Sequence, residues 1–173
     1  PSVGFLQNTN IWNKTKEMLL LPNIIEQCPN VNFYWAGDGP FTKNILPHLE
    51  KFTNFHWLGS LDYPNQVRQF LSEIDIYGLI TGNDMSPHTI LEASLMKKPV
   101  IATDVGGISE SIIEKETGFL IKEGDSSSWI SKISFLIDHP NESKEIGLRG
   151  YEFVNENFSW EKITKDFLKI IKI

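Results

Sequence analysis

The chain has 173 residues, of which 40% are hydrophobic and 22% are charged, a composition typical of one globular domain rather than of a disordered or membrane-spanning chain. Its formal net charge is -6 at pH 7 and it has no long block of basic residues. A general nucleic-acid surface is therefore not expected, because phosphate backbones are bound mainly by clustered Lys and Arg. Cys28 is the only cysteine, which excludes a disulfide within the chain and a thiolate metal cluster.

The sequence shows no sign of a membrane span or of a secretion signal. No apolar run approaches the roughly 18 residues of a membrane-spanning helix, and the N-terminus lacks a signal-peptide pattern. The chain starts at Pro1 and enters the apolar run VGFL by residue 3. We therefore expect it to be a piece of a longer protein.

Short apolar runs alternate with segments of helical length along most of the chain. The runs are continuous rather than alternating in polarity, as expected of parallel strands that are buried on both faces. The predicted strands are 3–6, 31–36, 55–58, 76–81, 100–103 and 118–121. The predicted helices are 14–27, 41–51, 65–72 and 88–97, followed by 126–138, 142–155 and 160–171, the last with Ser159 as its N-cap. This pattern predicts an α/β fold with a doubly wound, six-stranded parallel sheet in the order 3-2-1-4-5-6 and additional C-terminal helices.

Ligands of open α/β sheets bind beyond the carboxyl ends of the strands, so the loops that follow the strands are the candidate sites. The stretch GNDMSPHTILEA follows the fourth strand, with Ser86 as the expected N-cap and Pro87 at the first helical position. The next backbone amides would be free to face a phosphate, and Glu92 could accept hydrogen bonds from vicinal hydroxyls. These amides belong to His88, Thr89 and Ile90. The alternative is a capped core helix with one solvated glutamate.

Three other loops have features that suit either a ligand or an ordinary turn. The motif AGDGP follows the second strand and is either a tight turn close to a ligand or a plain strand–helix turn. Gly106 and Gly107 permit a positive-φ turn or a close backbone approach. Gly4 belongs to the first strand region, and Lys14 lies near the start of the next helix, where a solvated surface lysine is the alternative.

In their order along the chain, these motifs resemble the C-terminal domain of retaining GT-B glycosyltransferases, and more specifically the family of glycosyl transferases group 1, which is glycosyltransferase family 4. The resemblance runs from about Val3 to the terminal FSWEKITKDFLKI, and the block ILEASLMKKPVIATDVGGISE is its most specific part. It implies a Rossmann-like fold that binds a nucleotide-activated sugar, so we expect residues 1–173 to form a single nucleotide-sugar-binding domain. It also implies a separate N-terminal domain, absent here, that binds most of the acceptor, with catalysis in the cleft between the two.

The resemblance assigns roles to individual residues. Glu92 matches the acid that the family uses on the ribose hydroxyls, Asp84 stands where a glutamate near the donor sugar is usual, and Lys14 matches the phosphate-binding lysine. Lys14 and Asp84 are therefore the expected catalytic residues, although Phe5 stands where many members carry an arginine. The full expected donor-binding set is Gly4, Lys14, Trp57, Leu58, Asp84, Ser86, Pro87, His88, Thr89, Glu92, Gly106 and Gly107, with Trp57 and Leu58 presenting backbone to the nucleobase.

The resemblance also predicts the activity and partners of the complete protein. We expect transfer of a sugar from a nucleotide sugar to a glycan, lipid-linked or small-molecule acceptor, in the cytoplasm, with peripheral membrane association of the full-length enzyme allowed. No cofactor is expected, and no metal site, since the sequence lacks an Asp-x-Asp pair. The isolated domain is expected to be inactive.

One alternative lacks its defining motif, and another remains open. An NAD(P)-binding domain would need G-x-G-x-x-G after the first strand, which VGFLQNTN lacks. A non-catalytic nucleotide-sugar-binding or assembly module of the same fold remains open, because Phe5 and Asp84 depart from the family pattern.

Overall fold

The computed structural model describes residues 1–171. The strands are β1 (Ser2–Leu6), β2 (Asn32–Ala36), β3 (Phe55–Gly59), β4 (Ile76–Leu79), β5 (Val100–Thr103) and β6 (Gly118–Ile121). They form one six-stranded sheet in the order β3-β2-β1-β4-β5-β6, and every neighbouring pair is parallel. The predicted doubly wound sheet is confirmed.

Helices cover both faces of this sheet and continue beyond it. They are α1 (Trp12–Thr15), α2 (Leu21–Gln27), α3 (Thr42–Leu49), α4 (Asn65–Glu73), α5 (His88–Leu95), α6 (Ser126–Asp138), α7 (Pro140–Asn157) and α8 (Trp160–Ile171). The predicted C-terminal helices are therefore present. None of the helices in the described part of the chain is long and apolar enough to cross a membrane.

The helix predicted over residues 14–27 is interrupted. A 3-10 segment, Lys16–Leu20, separates α1 from α2. Pro22 lies in the first turn of α2. Proline has no N–H to donate to a preceding turn, so it begins a helix readily and continues one poorly.

Alternate residues of β1 face opposite sides of the sheet. Val3 and Phe5 are fully buried in the larger of two apolar clusters, and the Phe5 ring lies 6.3 Å from that of Trp129 on α6. Phe5 therefore does not line a surface site, and a cation at this position would be placed in the core.

Gly4 faces the other side of the sheet, where α4 packs. A Cβ atom there would lie 2.7 Å from the side chain of Ile74, so helix α4 can approach the sheet only because residue 4 is a glycine. The expected donor-binding role of Gly4 is not supported by this position, which is in the middle of a buried strand. Its contribution is to packing.

Helix α8 is amphipathic and leaves its apolar side chains in solvent. Its start is capped as predicted, since the Ser159 hydroxyl accepts a bond from the Lys162 amide at 3.3 Å. The exposed apolar side chains of α8 are Trp160, Ile163, Phe167, Leu168, Ile170 and Ile171. The fold thus carries one helix that adds little to the core formed by the others.

Candidate functional site

A cleft with a volume of 390 Å³ opens at the carboxyl ends of the central strands. Its position follows the general rule for open α/β sheets, because the strand order reverses between β1 and β4. The loops after β1, β2, β3 and β4 contribute to its walls, together with α1 and the first turn of α5. The polar lining residues are Gln7, Asn8, Lys14, Asp38, Ser60, Thr81, Asp84, Ser86, His88 and Thr89.

Two backbone segments cross closely at one wall of the cleft. A Cβ atom on Gly37 would lie 2.0 Å from the carbonyl oxygen of Gln7, so only glycine allows the β2 loop to pass there. The crossing is held by a hydrogen bond of 3.1 Å from the Thr9 amide to the Asp38 carbonyl oxygen. The glycine of AGDGP that precedes the aspartate therefore serves loop–loop packing.

Asp38 is held in place within this wall. Its carboxylate accepts bonds of 2.7 Å from the Thr42 hydroxyl and from the Gly39 amide. The hydrogen bond from Thr42, followed by that from Gly39, lowers the pKa of the Asp38 carboxyl below its usual value. The motif is thus a strand–helix turn whose fixed carboxylate lines the cleft.

Lys14 and Asp84, the two expected catalytic residues, meet in the cleft. The Lys14 ammonium donates to the Asp84 carboxylate at 3.0 Å, although the residues are 70 positions apart in the chain. Their backbones are also tied together, because the Gly82 amide donates to the Lys14 carbonyl oxygen at 3.2 Å. The second carboxylate oxygen of Asp84 accepts a bond of 3.3 Å from the Ser86 amide. The structure thus places an ion pair where the sequence predicted two separate ligand contacts.

Gly106 and Gly107 pack against the backbone of the loop that contains Asp84. A Cβ atom on Gly106 would lie 2.0 Å from the Asp84 carbonyl oxygen, and one on Gly107 would lie 2.1 Å from the Met85 carbonyl oxygen. The Gly107 amide donates to the Asp84 carbonyl oxygen at 3.0 Å, so it is already used. Neither glycine lines the cleft, and the close approach that they allow is to protein backbone.

The N-terminus of α5 closes one end of the cleft. The helix begins at His88 with Pro87 in the cap position, so the expected N-cap role of Ser86 is wrong by one residue. The Ile90 amide donates to the Pro87 carbonyl oxygen at 3.1 Å and is not free. The amides of His88 and Thr89 have no acceptor among the described residues. Both residues line the cleft, so two unpaired N–H groups and the positive end of the helix dipole lie at its edge.

Glu92 lies one turn further along α5 and does not belong to the cleft lining. It is half-buried beside a shallow groove between α4 and α5 that also contains Tyr63 and Arg68. Burial raises the pKa of the Glu92 carboxyl, and the nearby His88 partly opposes this. A ligand would have to extend past the cleft toward α4 to meet Glu92.

Tyr77 belongs to the second apolar cluster, together with Ile90 of α5. Its side chain is fully buried, and its hydroxyl donates to the Leu6 carbonyl oxygen at 3.3 Å. Burial raises the pKa of this phenol above its usual value, so it stays protonated.

Strand β3 contributes to the cleft through the residues that follow it. Trp57 and Leu58 are exposed on the strand itself and are not in the lining, although the Trp57 indole donates to the Gly37 carbonyl oxygen at 2.8 Å. Ser60 and Leu61, which follow the strand, do line the cleft.

Several lining residues were not identified from the sequence. Gln7 and Asn8 follow β1 directly, and Ser60 and Leu61 follow β3. The rule that ligands bind beyond strand ends would have selected them, because they are the first residues after predicted strands. Within residues 1–171, no group of three or more His, Cys, Asp or Glu side chains is arranged to hold a metal ion.

Residues 2–139 match the family described as glycosyl transferases group 1. A trehalose synthase of Pyrococcus horikoshii is 40% identical over 83 residues, which cover 48% of this chain and 20% of the synthase.

Two solved structures show the same fold. HepE of Anabaena, crystallised with UDP-glucose, superposes with a TM-score of 0.83 over 98% of this chain and 48% of its own, at 21% identity. The C-terminal domain of the group 1 protein LpcC from Francisella tularensis superposes with a TM-score of 0.78 at 20% identity, covering 92% of this chain and 86% of that domain. The chain thus spans less than half the length of the trehalose synthase and of HepE, and most of the isolated LpcC domain.

Proposed function

The chain belongs to the glycosyl transferases group 1 family, and on that premise we propose that it is the donor-binding domain of a retaining glycosyltransferase. It binds a nucleoside diphosphate sugar in the cleft at the carboxyl ends of the strands. In the complete protein, the sugar passes to a glycan, lipid-linked or small-molecule acceptor that a second domain holds. The observation that carries this proposal is the Lys14–Asp84 pair beside the unpaired amides of α5.

Three groups in the cleft can donate to the diphosphate. Lys14 offers a partly exposed ammonium group, and the amides of His88 and Thr89 point to the same cleft. A diphosphate oxygen would replace Asp84 as the partner of Lys14. These groups would also stabilise the negative charge that collects on the diphosphate as the bond to the sugar breaks.

The sugar and the nucleoside would occupy opposite sides of the diphosphate. Asp84, once released from Lys14, can accept hydrogen bonds from sugar hydroxyls. The nucleoside would lie toward Ser60 and Leu61, from which the ribose can extend toward Glu92 in the adjoining groove. Uridine is the first base to test, because HepE was crystallised with UDP-glucose.

A non-catalytic nucleotide-sugar-binding or assembly module is the second candidate. Position 5 faces the core, so it contributes no cation to the cleft, whatever residue it carries. The ammonium of Lys14 is moreover neutralised by Asp84. A sugar-transfer assay on the complete protein separates this candidate from an enzyme, since both bind the nucleotide sugar.

Calorimetric titration with UDP, GDP and ADP tests the site and identifies the base. The wild-type chain should bind one of the three, and Lys14→Met should lose most of that affinity. Lys43→Met is the matched control, because Lys43 is exposed on α3 and outside the cleft. Equal affinities of the two variants, or no binding of any nucleotide by the wild-type chain, would contradict the proposed site.

A further inference from the structure

The charges around the cleft do not suit an anionic ligand by themselves. Among the described residues that line it, one ammonium group on Lys14 is accompanied by two carboxylates, on Asp38 and Asp84. The Lys14 ammonium is bonded to Asp84, and the hydrogen bonds to Asp38 favour its ionised form. The whole chain carries a formal net charge of -6 at pH 7. Binding a diphosphate here therefore calls for a further positive group.

His88 is the remaining titratable side chain in the cleft lining. It is the first residue of α5, it is exposed, and its own amide is one of the two unpaired amides of that helix end. An imidazole can take up a proton at the pH of most cells, so its charge can respond to a bound anion.

Charged groups of both signs lie in the same part of the molecule as His88. Glu92 lies one turn along the same helix, and the carboxylates of Asp84 and Asp38 line the same cleft. The Lys14 ammonium lines that cleft as well, and His88 stands at the positive end of the α5 dipole. The buried Tyr77 hydroxyl stays neutral. A bound anion adds negative charge to that of the carboxylates and offsets the positive charge of Lys14 and of the helix dipole.

We propose that the His88 imidazole binds the diphosphate of the donor as an imidazolium, so that donor binding takes up a proton and strengthens as the pH falls. The inference rests on the proposed function and adds a phosphate-recognition residue to it. Imidazolium donates a charge-assisted hydrogen bond to a phosphate oxygen, which neutral imidazole cannot match. His88 thereby adds a positive group to a cleft in which the Lys14 ammonium is already bonded to Asp84.

UDP-glucose is the probe that tests this, because both of its phosphates are esterified and lack the ionisation near pH 6 of a terminal phosphate. The affinity of the wild-type chain should rise about tenfold between about pH 8 and about pH 6, since a histidine side chain ordinarily titrates near pH 6.5. Calorimetry in buffers of different ionisation enthalpy should show proton uptake on binding near neutral pH. A purely structural role for His88 would produce neither result.

Substitutions separate His88 from His48 and His139, two of the three other histidines. His88→Gln should abolish both the pH dependence and the proton uptake. His88→Lys should bind tightly with no dependence over this range. His48→Gln and His139→Gln are the controls and should keep the wild-type profile, because both side chains are exposed and lie outside the cleft. Protonation of Glu92 would weaken ribose binding, so its titration has the opposite sign and cannot imitate that of His88.

Two results would overturn the inference. One is wild-type affinity that does not change with pH, and the other is a pH dependence that persists in His88→Gln. If UDP-glucose does not bind at any pH, ADP-glucose and GDP-glucose are used in its place. Failure of all three would contradict the proposed function as well, whereas binding without proton uptake would contradict the role of His88 alone.

Discussion

In the proposed site, a nucleotide would compete with Asp84 for the Lys14 ammonium, and this competition can be measured. Asp84→Asn removes the competing carboxylate and one negative charge from the cleft. We expect UDP to bind more tightly to this variant by about 0.5–1 kcal/mol, the range for a partly exposed ion pair. UDP-glucose should gain less, because the amide is a weaker acceptor for sugar hydroxyls than the carboxylate is.

Titration calorimetry of both ligands checks this prediction, with Asp62→Asn, outside the cleft, as the control. Weaker UDP binding by Asp84→Asn would show that the carboxylate assists the diphosphate instead of competing with it.

Glu92 is expected to favour ligand binding at the expense of stability. Burial raises its pKa, so the folded chain holds this proton more tightly than the unfolded chain, where a glutamate titrates near its usual value of about 4.3. Below that pH the carboxyl is protonated in both the folded and the unfolded chain, and its burial costs no stability. As the pH rises through the pKa of the folded state, the buried carboxyl must ionise and the free energy of unfolding falls. Glu92→Gln should therefore raise the free energy of unfolding at neutral pH, and the gain should disappear near pH 4.

Urea denaturation at the two pH values measures this effect, and Glu26→Gln, exposed on α2, should show none. The same Glu92→Gln variant should bind UDP more weakly by about 1–3 kcal/mol. The loss should be smaller for 2′-deoxy-UDP, because this ligand already lacks one of the two ribose hydroxyls that Glu92 is expected to contact. Equal losses for the two ligands would refute the ribose contact.

At the scale of elements, the site depends on the turn after β5 that supports the loop after β4. Gly106 has φ +59 and no room for a side chain beside the Asp84 carbonyl oxygen. Gly106→Ala should cost about 2–4 kcal/mol of stability, through left-handed strain and crowding together, and should displace Asp84. Ligand affinity should fall with it.

Gly124→Ala is the matched control for Gly106→Ala. Gly124 also has positive φ, +81, but nothing lies within 4 Å of its Cβ position. We expect Gly124→Ala to lose about 1–2 kcal/mol of stability through left-handed strain alone and to bind UDP-glucose with unchanged affinity. Thermal denaturation and UDP-glucose titration of the two variants provide the comparison, and equal losses of affinity would show that the Gly106 turn does not position Asp84.

For the whole molecule, we predict that the 173-residue chain folds and binds the donor but transfers no sugar. Its sheet is complete and both faces are covered, which supports folding. Transfer also needs the acceptor held close to the reacting carbon of the sugar, and such positioning can contribute about 7–11 kcal/mol. Without the second domain, water also reaches the cleft and weakens the electrostatic effect of Lys14 and α5.

A radiolabelled sugar-transfer assay on this chain, beside the complete protein, tests the prediction. Comparable turnover by the two would contradict the assignment of acceptor binding to another domain.

The sequence by itself determined the sheet, its order and the presence of a helix after β4. Continuous apolar runs reveal strands buried on both faces, and this signal is local, so it survives in a single sequence. Lys14, Asp84 and the first residues of α5 could be selected because each follows a predicted strand. Pro22 indicates locally that a new helix begins, but the apolar pattern over residues 14–27 predicted one unbroken helix.

Only the tertiary structure decided which side chains meet. Lys14 bonds to Asp84, Gly106 carries the Asp84 backbone, Gly4 and Phe5 pack into the core, and Glu92 lies outside the cleft. These outcomes depend on where segments from about 20 to more than 100 residues apart come together and on which face of a strand a residue occupies. A motif specifies neither, because the same glycine or acid suits a ligand contact and a packing contact equally well until its spatial neighbours are known.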